Sequence, residues 1–314
     1  MRDLFDTMIT LPSLRSVGDF SPKLMAFALS SRSAFFILTN YASENIAEIV
    51  VSRDNILAGT RRTKRYSFRT LREVHFVSMC QKYVPRVLFI DVVHSDEFVD
   101  KLCNFLEGMP NLEDVDLKPI CWSEAEAAKY QKLLKAAARV STVTADKLFL
   151  SSAQTLSTAL HFPNLTKLMI RLGLSDLLSE MDVSKLTRHT FPVLENVHFE
   201  SRNLCLSREG FINVAKFCDI IHRTVSEVKL SQGWTDETGV ETIEYLNLIR
   251  NLFENIKFHN KFTLTVNVDF YCGLNLTLLE EAGFQLKDES WWCCETKFGD
   301  TNVVFNINGD SFAF

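Results

Sequence analysis

The sequence predicts an α/β chain, a solenoid (horseshoe) of stacked strand–helix units with a short helical N-terminal segment and a strand-rich C-terminal cap. Three observations predict it. An apolar phrase with the spacing i, i+3, i+5 recurs six times, at starts 87, 112, 140, 165, 194 and 225, which are 25, 28, 25, 29 and 31 residues apart. Four of the copies share a proline: Pro85, Pro110, Pro163 and Pro192. The segments between copies carry helical periodicity. A strand plus one helix cannot bury its own apolar face, so such units must stack on one another.

Composition sets the frame. The 314 residues exceed one ordinary domain, and 46% hydrophobic with 23% charged is the balance of a globular chain. Only 11 Gly and 7 Pro exclude collagen-like or low-complexity character. A net charge of -5 argues against a dedicated nucleic-acid binder. No apolar run is long enough to span a bilayer, so no membrane is expected. Asp3 and Asp6 stand where a secretory signal needs a basic start. A cytoplasmic or nuclear location with reduced cysteines follows as an expectation.

The six phrases, in order, are Val87, Ile90, Val92; Leu112, Val115, Leu117; Val140, Val143, Ala145; Leu165, Leu168, Ile170; Leu194, Val197, Phe199; and Val225, Val228, Leu230. The last two positions of each alternate, as a half-buried strand requires. Strands are expected near Ile90, Val115, Val143, Leu168, Val197 and Val228, parallel in one curved sheet. A shorter phrase, Leu71, Val74 and Phe76, fits a strand opening the array. Helices are expected at Asp96–Glu107, Ala127–Ala138 (opened by the capping box Ser123-Glu124-Ala125-Glu126), Ser152–His161, Arg208–Arg223 and Glu241–Phe258. After Phe262 the alternation of Leu264, Val266, Val268 and Phe270, and the late run Val303, Val304, Phe305 and Ile307, read as strands of a cap, with Trp291 and Trp292 as core. The expected divisions are 1–45, a helical segment; 60–260, the array; and 261–314, terminal units and cap. An ordinary α/β sheet domain is the competing architecture.

This phrase at this spacing resembles the leucine-rich-repeat family, here irregular and without an asparagine ladder. At the N-terminus, Leu11-Pro12, then Phe20-Ser21-Pro22-Lys23-Leu24, then Phe27-Ala28-Leu29-Ser30-Ser31-Arg32-Ser33-Ala34-Phe35 resembles an F-box. The whole layout is similar to divergent nematode F-box/leucine-rich-repeat proteins. The resemblance implies a substrate receptor of an SCF-type cullin-RING ubiquitin ligase. Its partners would be a Skp-type adaptor and a protein substrate, with Leu11, Pro12, Leu14, Val17, Phe20, Leu24, Phe27 and Leu29 docking the adaptor. Two alternatives stand beside it: the same residues form a plain cap on the first unit, and the chain is a stand-alone leucine-rich-repeat binding scaffold without a ligase role.

Chemistry is not legible in the residues. The chain lacks a Walker loop, a dinucleotide-binding glycine motif, a zinc-protease motif and a nucleophile elbow, so no catalytic residue and no cofactor is expected. No Cys-x-x-Cys occurs, and adjacent Cys293 and Cys294 point to opposite faces of a strand, so no metal site is expected either. The basic run Arg61, Arg62, Lys64, Arg65, Arg69 and Arg72 reads as a solvated loop or strand edge, with a targeting signal or acidic-partner patch as the alternative. Partner binding is expected on the concave sheet face, from residues flanking the buried strand positions. These are Asp91, Asp114, Asp116, Lys167, Met169, Arg171, Asn196, His198, Glu200 and Lys229, with Phe89, Lys118, Thr142, Thr144, Asp146, Glu227 beside them. Their stripe is acidic over 91–116, basic at Lys167 and Arg171, and acidic again at Glu200, which suits a polar protein partner.

Overall fold

The computed structural model describes residues 30–52, 56–60, 65–68, 85–90, 96–117, 127–146, 149, 161–172, 189–201, 208–221, 224–234, 244, 247–248, 251, 262–270, 276–287, 291–298 and 301–309. The chain divides into two compact units, Met1–Ala137 and Ala138–Phe314. Both are mixed α/β; the sheet of the second unit is mostly parallel, and that of the first is half parallel and half antiparallel.

In the first unit, helix α1 (Arg32–Asn45) leads into β1 (Ile46–Ser52), β2 (Ile56–Thr60) and β3 (Arg65–Phe68). Then follow β4 (Arg86–Ile90), α2 (Asp96–Glu107), β5 (Asp114–Asp116) and α3 (Ala127–Ala136). Strand order is β5-β4-β1-β2-β3, parallel for β5, β4 and β1 and antiparallel for β2 and β3. The antiparallel extension through β2 and β3 was not expected from the sequence. Helix α2 buries Val99, Leu102, Cys103 and Leu106, and α3 buries Tyr130, Leu133 and Leu134, with Ala137 buried just past its end. Each set follows the i, i+3, i+4, i+7 stripe of a helix packed on one side. Lys129 pairs with Asp96 at 3.1 Å and Lys132 with Asp100. These contacts tie the rims of the two helices.

The second unit carries β6 (Thr142–Asp146), β7 (Lys167–Leu172), β8 (Asn196–Ser201), α4 (Arg208–Ile221), β9 (Glu227–Trp234) and β10 (Phe262–Phe270). Helix α5 (Leu276–Glu281), β11 (Gln285–Leu286), β12 (Trp291–Phe298) and β13 (Thr301–Gly309) complete it. Strand order is β11-β12-β13-β10-β9-β8-β7-β6. From β6 to β9, then β10 and β13, all neighbours are parallel; β12 and β11 close the far end antiparallel. Register aligns the apolar phrases. Val143, Leu168, Val197, Val228, Leu264 and Val303 form one row, and Ala145, Ile170, Phe199, Leu230, Val266 and Phe305 another. Every member of both rows is buried.

A recurrent backbone device fixes that register. The N–H groups of Thr166 and Lys167 share the carbonyl of Ser141 (2.9 and 3.0 Å), those of Glu195 and Asn196 that of Thr166 (3.0 and 2.9 Å), and those of Ser226 and Glu227 that of Glu195 (2.9 and 3.1 Å). The acceptor is always the residue just before a strand. Helix α4 lies on the apolar face: Phe217 meets Phe199 edge-on at 6.1 Å and Phe191 at 6.3 Å. Phe149, Phe162 and Phe191 form a cluster with ring separations of 5.4–6.1 Å.

One frame is corrected. Val87 pairs with Val115, not with Leu112, so β4 ends at Ile90 and is centred on Leu88. The Pro85 carbonyl accepts the N–H groups of Glu113 and Asp114 at 2.8 and 2.9 Å, the role Ser141 has for β7. Pro85 therefore abuts its strand, whereas Pro110, Pro163 and Pro192 stand four residues ahead of theirs. Helix α2 has the expected limits, while α3 and α4 end two residues short of theirs, at Ala136 and Ile221. The capping box at 123–126, the helix at 152–160, most of 241–258 and the phrase at Leu71 lie outside the described residues.

Candidate functional site

Strand alternation puts the odd rows of the second unit on the face opposite its core. Lys167, Asn196, Glu227, Thr263 and Asn302 make one row; Met169, His198, Lys229, Thr265 and Val304 the next; and Arg171, Glu200, Ser231, Asn267 and Asn306 a third. All fifteen are exposed or half-buried. Lys167, Met169, Arg171, Asn196, His198, Glu200 and Lys229 are thus brought onto one accessible face. Thr144, on the same face at β6, is buried.

The third row is held by side chains. Arg171 Nε donates to Glu200 Oε2 at 2.8 Å across β7 and β8. Farther along, Asn306 Nδ2 donates to Asn267 Oδ1 (3.0 Å), and Asn267 Nδ2 donates to Ser231 Oγ (3.4 Å). His198 Nε2 lies 2.9 Å from that same hydroxyl. The chain of bonds crosses β13, β10, β9 and β8. It fixes the rotamers of groups that would otherwise be free on a sheet surface, lowering the entropy lost when something docks there.

The sequence reading missed the Ser231, Asn267 and Asn306 part of this face. The signal was present: Thr263, Thr265 and Asn267 alternate with Leu264 and Val266. The run was assigned to a cap, so its polar positions were not aligned with those of β9.

Burial holds the His198 imidazole below its ordinary value of 6.5, and the cations of Lys229 and Arg171 push the same way against Glu200. Because the folded value is depressed, the unfolded chain takes up the proton first as pH falls. Stability of the second unit is therefore expected to be full above 6.5 and to decline as pH drops from 6.5 toward the folded value. Denaturant unfolding across that range should show the decline in wild type and a flatter profile in His198→Gln; equal slopes would remove His198 as the cause.

In the first unit the expected acidic patch is corrected. The frame of β4 places Arg86 in register with Asp114. Its Nε lies 3.2 Å from Asp114 Oδ2 and its Nη2 3.7 Å from Asp116 Oδ2. Asp116 is only 2% exposed, so it serves Arg86 and not a partner. A buried carboxylate needs such a counter-charge, and Arg86 offsets one of the two negative charges there. Asp91 and Lys118 lie outside the described residues, as do Leu11, Pro12, Leu14, Val17, Phe20, Leu24, Phe27 and Leu29, and the basic run apart from Arg65.

Cys103, Cys218, Cys293 and Cys294 are free and buried, and burial raises the thiols of Cys103, Cys218 and Cys294. Such thiols are poor nucleophiles and poor metal ligands. Among the described residues, no group of three or more His, Cys, Asp or Glu side chains is placed to hold a metal ion, and no helix is long and apolar enough to cross a membrane. Comparison of the chain with protein-family models, curated proteins and solved structures finds no match.

Proposed function

We propose that this chain is a non-catalytic protein-binding scaffold, a leucine-rich-repeat-like solenoid, and that it serves as substrate receptor of an SCF-type cullin-RING ubiquitin ligase. The observation that carries the binding half is the accessible face of β7–β9, β10 and β13, with its in-register charged and amide groups held by cross-strand bonds. Pre-organised polar groups of both signs, with few apolar side chains, suit a folded or extended polar protein and not a lipid or a small apolar ligand. The adaptor half rests on the F-box resemblance of residues 11–35. Phe35 and Phe36 add to it: they are 43% and 63% exposed at the start of α1, apolar surface suited to a covering partner.

Affinity purification from cells tests both halves with the full chain. Wild type is expected to capture a Skp-type adaptor together with a substrate. Phe20→Ala, and more fully a deletion of residues 1–45, should lose the adaptor and keep the substrate. The reversal Lys167→Glu with Arg171→Glu should lose the substrate and keep the adaptor, with purified partner associating more slowly and the wild-type rate falling as salt rises. Substrate without adaptor in wild type would leave a stand-alone scaffold, and unchanged substrate capture by the double reversal would move the interface off this face.

A further inference from the structure

We propose that the outer edge of β3 docks an acidic peptide, which adds to the sheet of the first unit as a further strand. β3 (Arg65–Phe68) stands last in the order β5-β4-β1-β2-β3, and among the described residues no strand pairs with its outer side. Its inner side pairs antiparallel with β2, from Gly59 opposite Arg65 to Ile56 opposite Phe68. In an antiparallel ladder only alternate residues exchange bonds with a given neighbour. Half the residues of β3 therefore turn N–H and C=O away from β2, and such an edge is a template for another strand.

The second observation is charge. Arg61, Arg62, Lys64, Arg65, Arg69 and Arg72 lie in β3 or within four residues of its ends, and no Asp or Glu occurs between Asp54 and Glu73. At about 3.6 Å per residue fully extended, none of these cations can have its Cα farther than about 14 Å from an end of β3. Arg61, Arg62 and Lys64 belong to the connection from β2 to β3, while Arg69 and Arg72 follow β3. Cations therefore adjoin the edge at both ends.

These two features select the occupant. A second copy of the chain would bring the same cations against themselves, and like charges across a strand pair repel. A nucleic acid would meet the cations, but it has no amide backbone to complete the ladder. The net charge of -5 also repels a polyanion at longer range. An extended acidic peptide satisfies both features. Its carboxylates speed encounter with the cations, and its main chain supplies the alternating N–H and C=O groups that pair with the edge.

Fluorescence anisotropy with the full chain and a labelled peptide of alternating Glu and Val tests this. Wild type should bind it with a Kd below about 1 mM, weakening as salt rises. The same peptide with Lys for Glu should bind at least about tenfold more weakly. So should the fully N-methylated Glu-Val peptide, which keeps every carboxylate and removes every main-chain donor. Single-stranded oligo-dT of equal charge should bind more weakly than the acidic peptide. Arg61→Glu, Arg62→Glu and Lys64→Glu combined should cost about tenfold or more, with the thermal midpoint unchanged. Lys167→Glu with Arg171→Glu, on the second unit, should leave peptide binding unchanged, which separates this site from the face proposed above. The probes are compared on wild type, so they decide the matter even if the triple reversal perturbs folding. Equal binding of the N-methylated peptide would mean charge alone, and oligo-dT binding as tight would mean a nucleic-acid site. A dimer that the peptide dissociates would assign the edge to a second copy. Any of these overturns the proposal, as does a wild-type Kd above about 1 mM or a folded triple variant that binds the peptide unchanged.

Discussion

Phe191→Ala is expected to lower the unfolding free energy of the second unit by about 3–5 kcal/mol, the largest effect of any single truncation considered for this chain. The ring is 2% exposed and sits where three others converge: Phe149 at 6.1 Å, Phe162 at 5.9 Å and Phe217 at 6.3 Å. Removing it forfeits the transfer free energy of the ring, leaves a cavity among the three surrounding rings, and deletes aromatic pairs worth about 0.5–1.5 kcal/mol each. Phe217 would lose one of its two aromatic partners, so α4 should loosen first. Urea denaturation followed by near-UV and far-UV signals checks it. A loss under about 1 kcal/mol would mean that the cluster is not packed as described.

Leu168→Ala should cost about 2–5 kcal/mol, whereas Met169→Ala, one residue along, should cost less than about 1 kcal/mol. The contrast follows from alternation. Leu168 is 1% exposed, in the row between Val143 and Val197, on the face where α4 meets Phe199. Met169 is half-buried on the opposite face, beside Thr144 and His198. A one-residue slip of register would exchange the two outcomes. Parallel denaturation of both variants therefore reports which face carries the core; equal costs, or a costlier Met169 variant, would refute the assigned register.

The spacing of apolar residues was sufficient to place β6–β10 and β13 of the second unit, and it missed β11 and β12. Leu165, Leu168 and Ile170 recur as Leu194, Val197 and Phe199, and the structure pairs Leu168 with Val197 and Ile170 with Phe199. The i, i+3, i+4 stripes located α2 to its end residues, because an isolated amphipathic helix packed on one side writes its burial directly into its periodicity. Elsewhere a local signal misled. Proline aligned the phrase at Val87 with that at Leu112, but register is set by backbone N–H groups reaching the carbonyl before a strand, which no side chain advertises.

Taken alone, the sequence determined that the chain is α/β, which residues of β6–β9 face the core, and that the opposite face of β7–β9 is polar. Only the tertiary structure decided what those polar residues do. Arg86 pairs with Asp114 and Asp116, Arg171 pairs with Glu200, and a run of hydrogen bonds links Asn306, Asn267, Ser231 and His198. Likewise it alone brought His161 against His189. The physical reason is range. Burial is repeated at a short period along one chain and can be read from neighbours three or five residues apart, whereas each of these polar pairs joins residues 28 or more apart and depends on a register fixed by main-chain bonds common to every residue type.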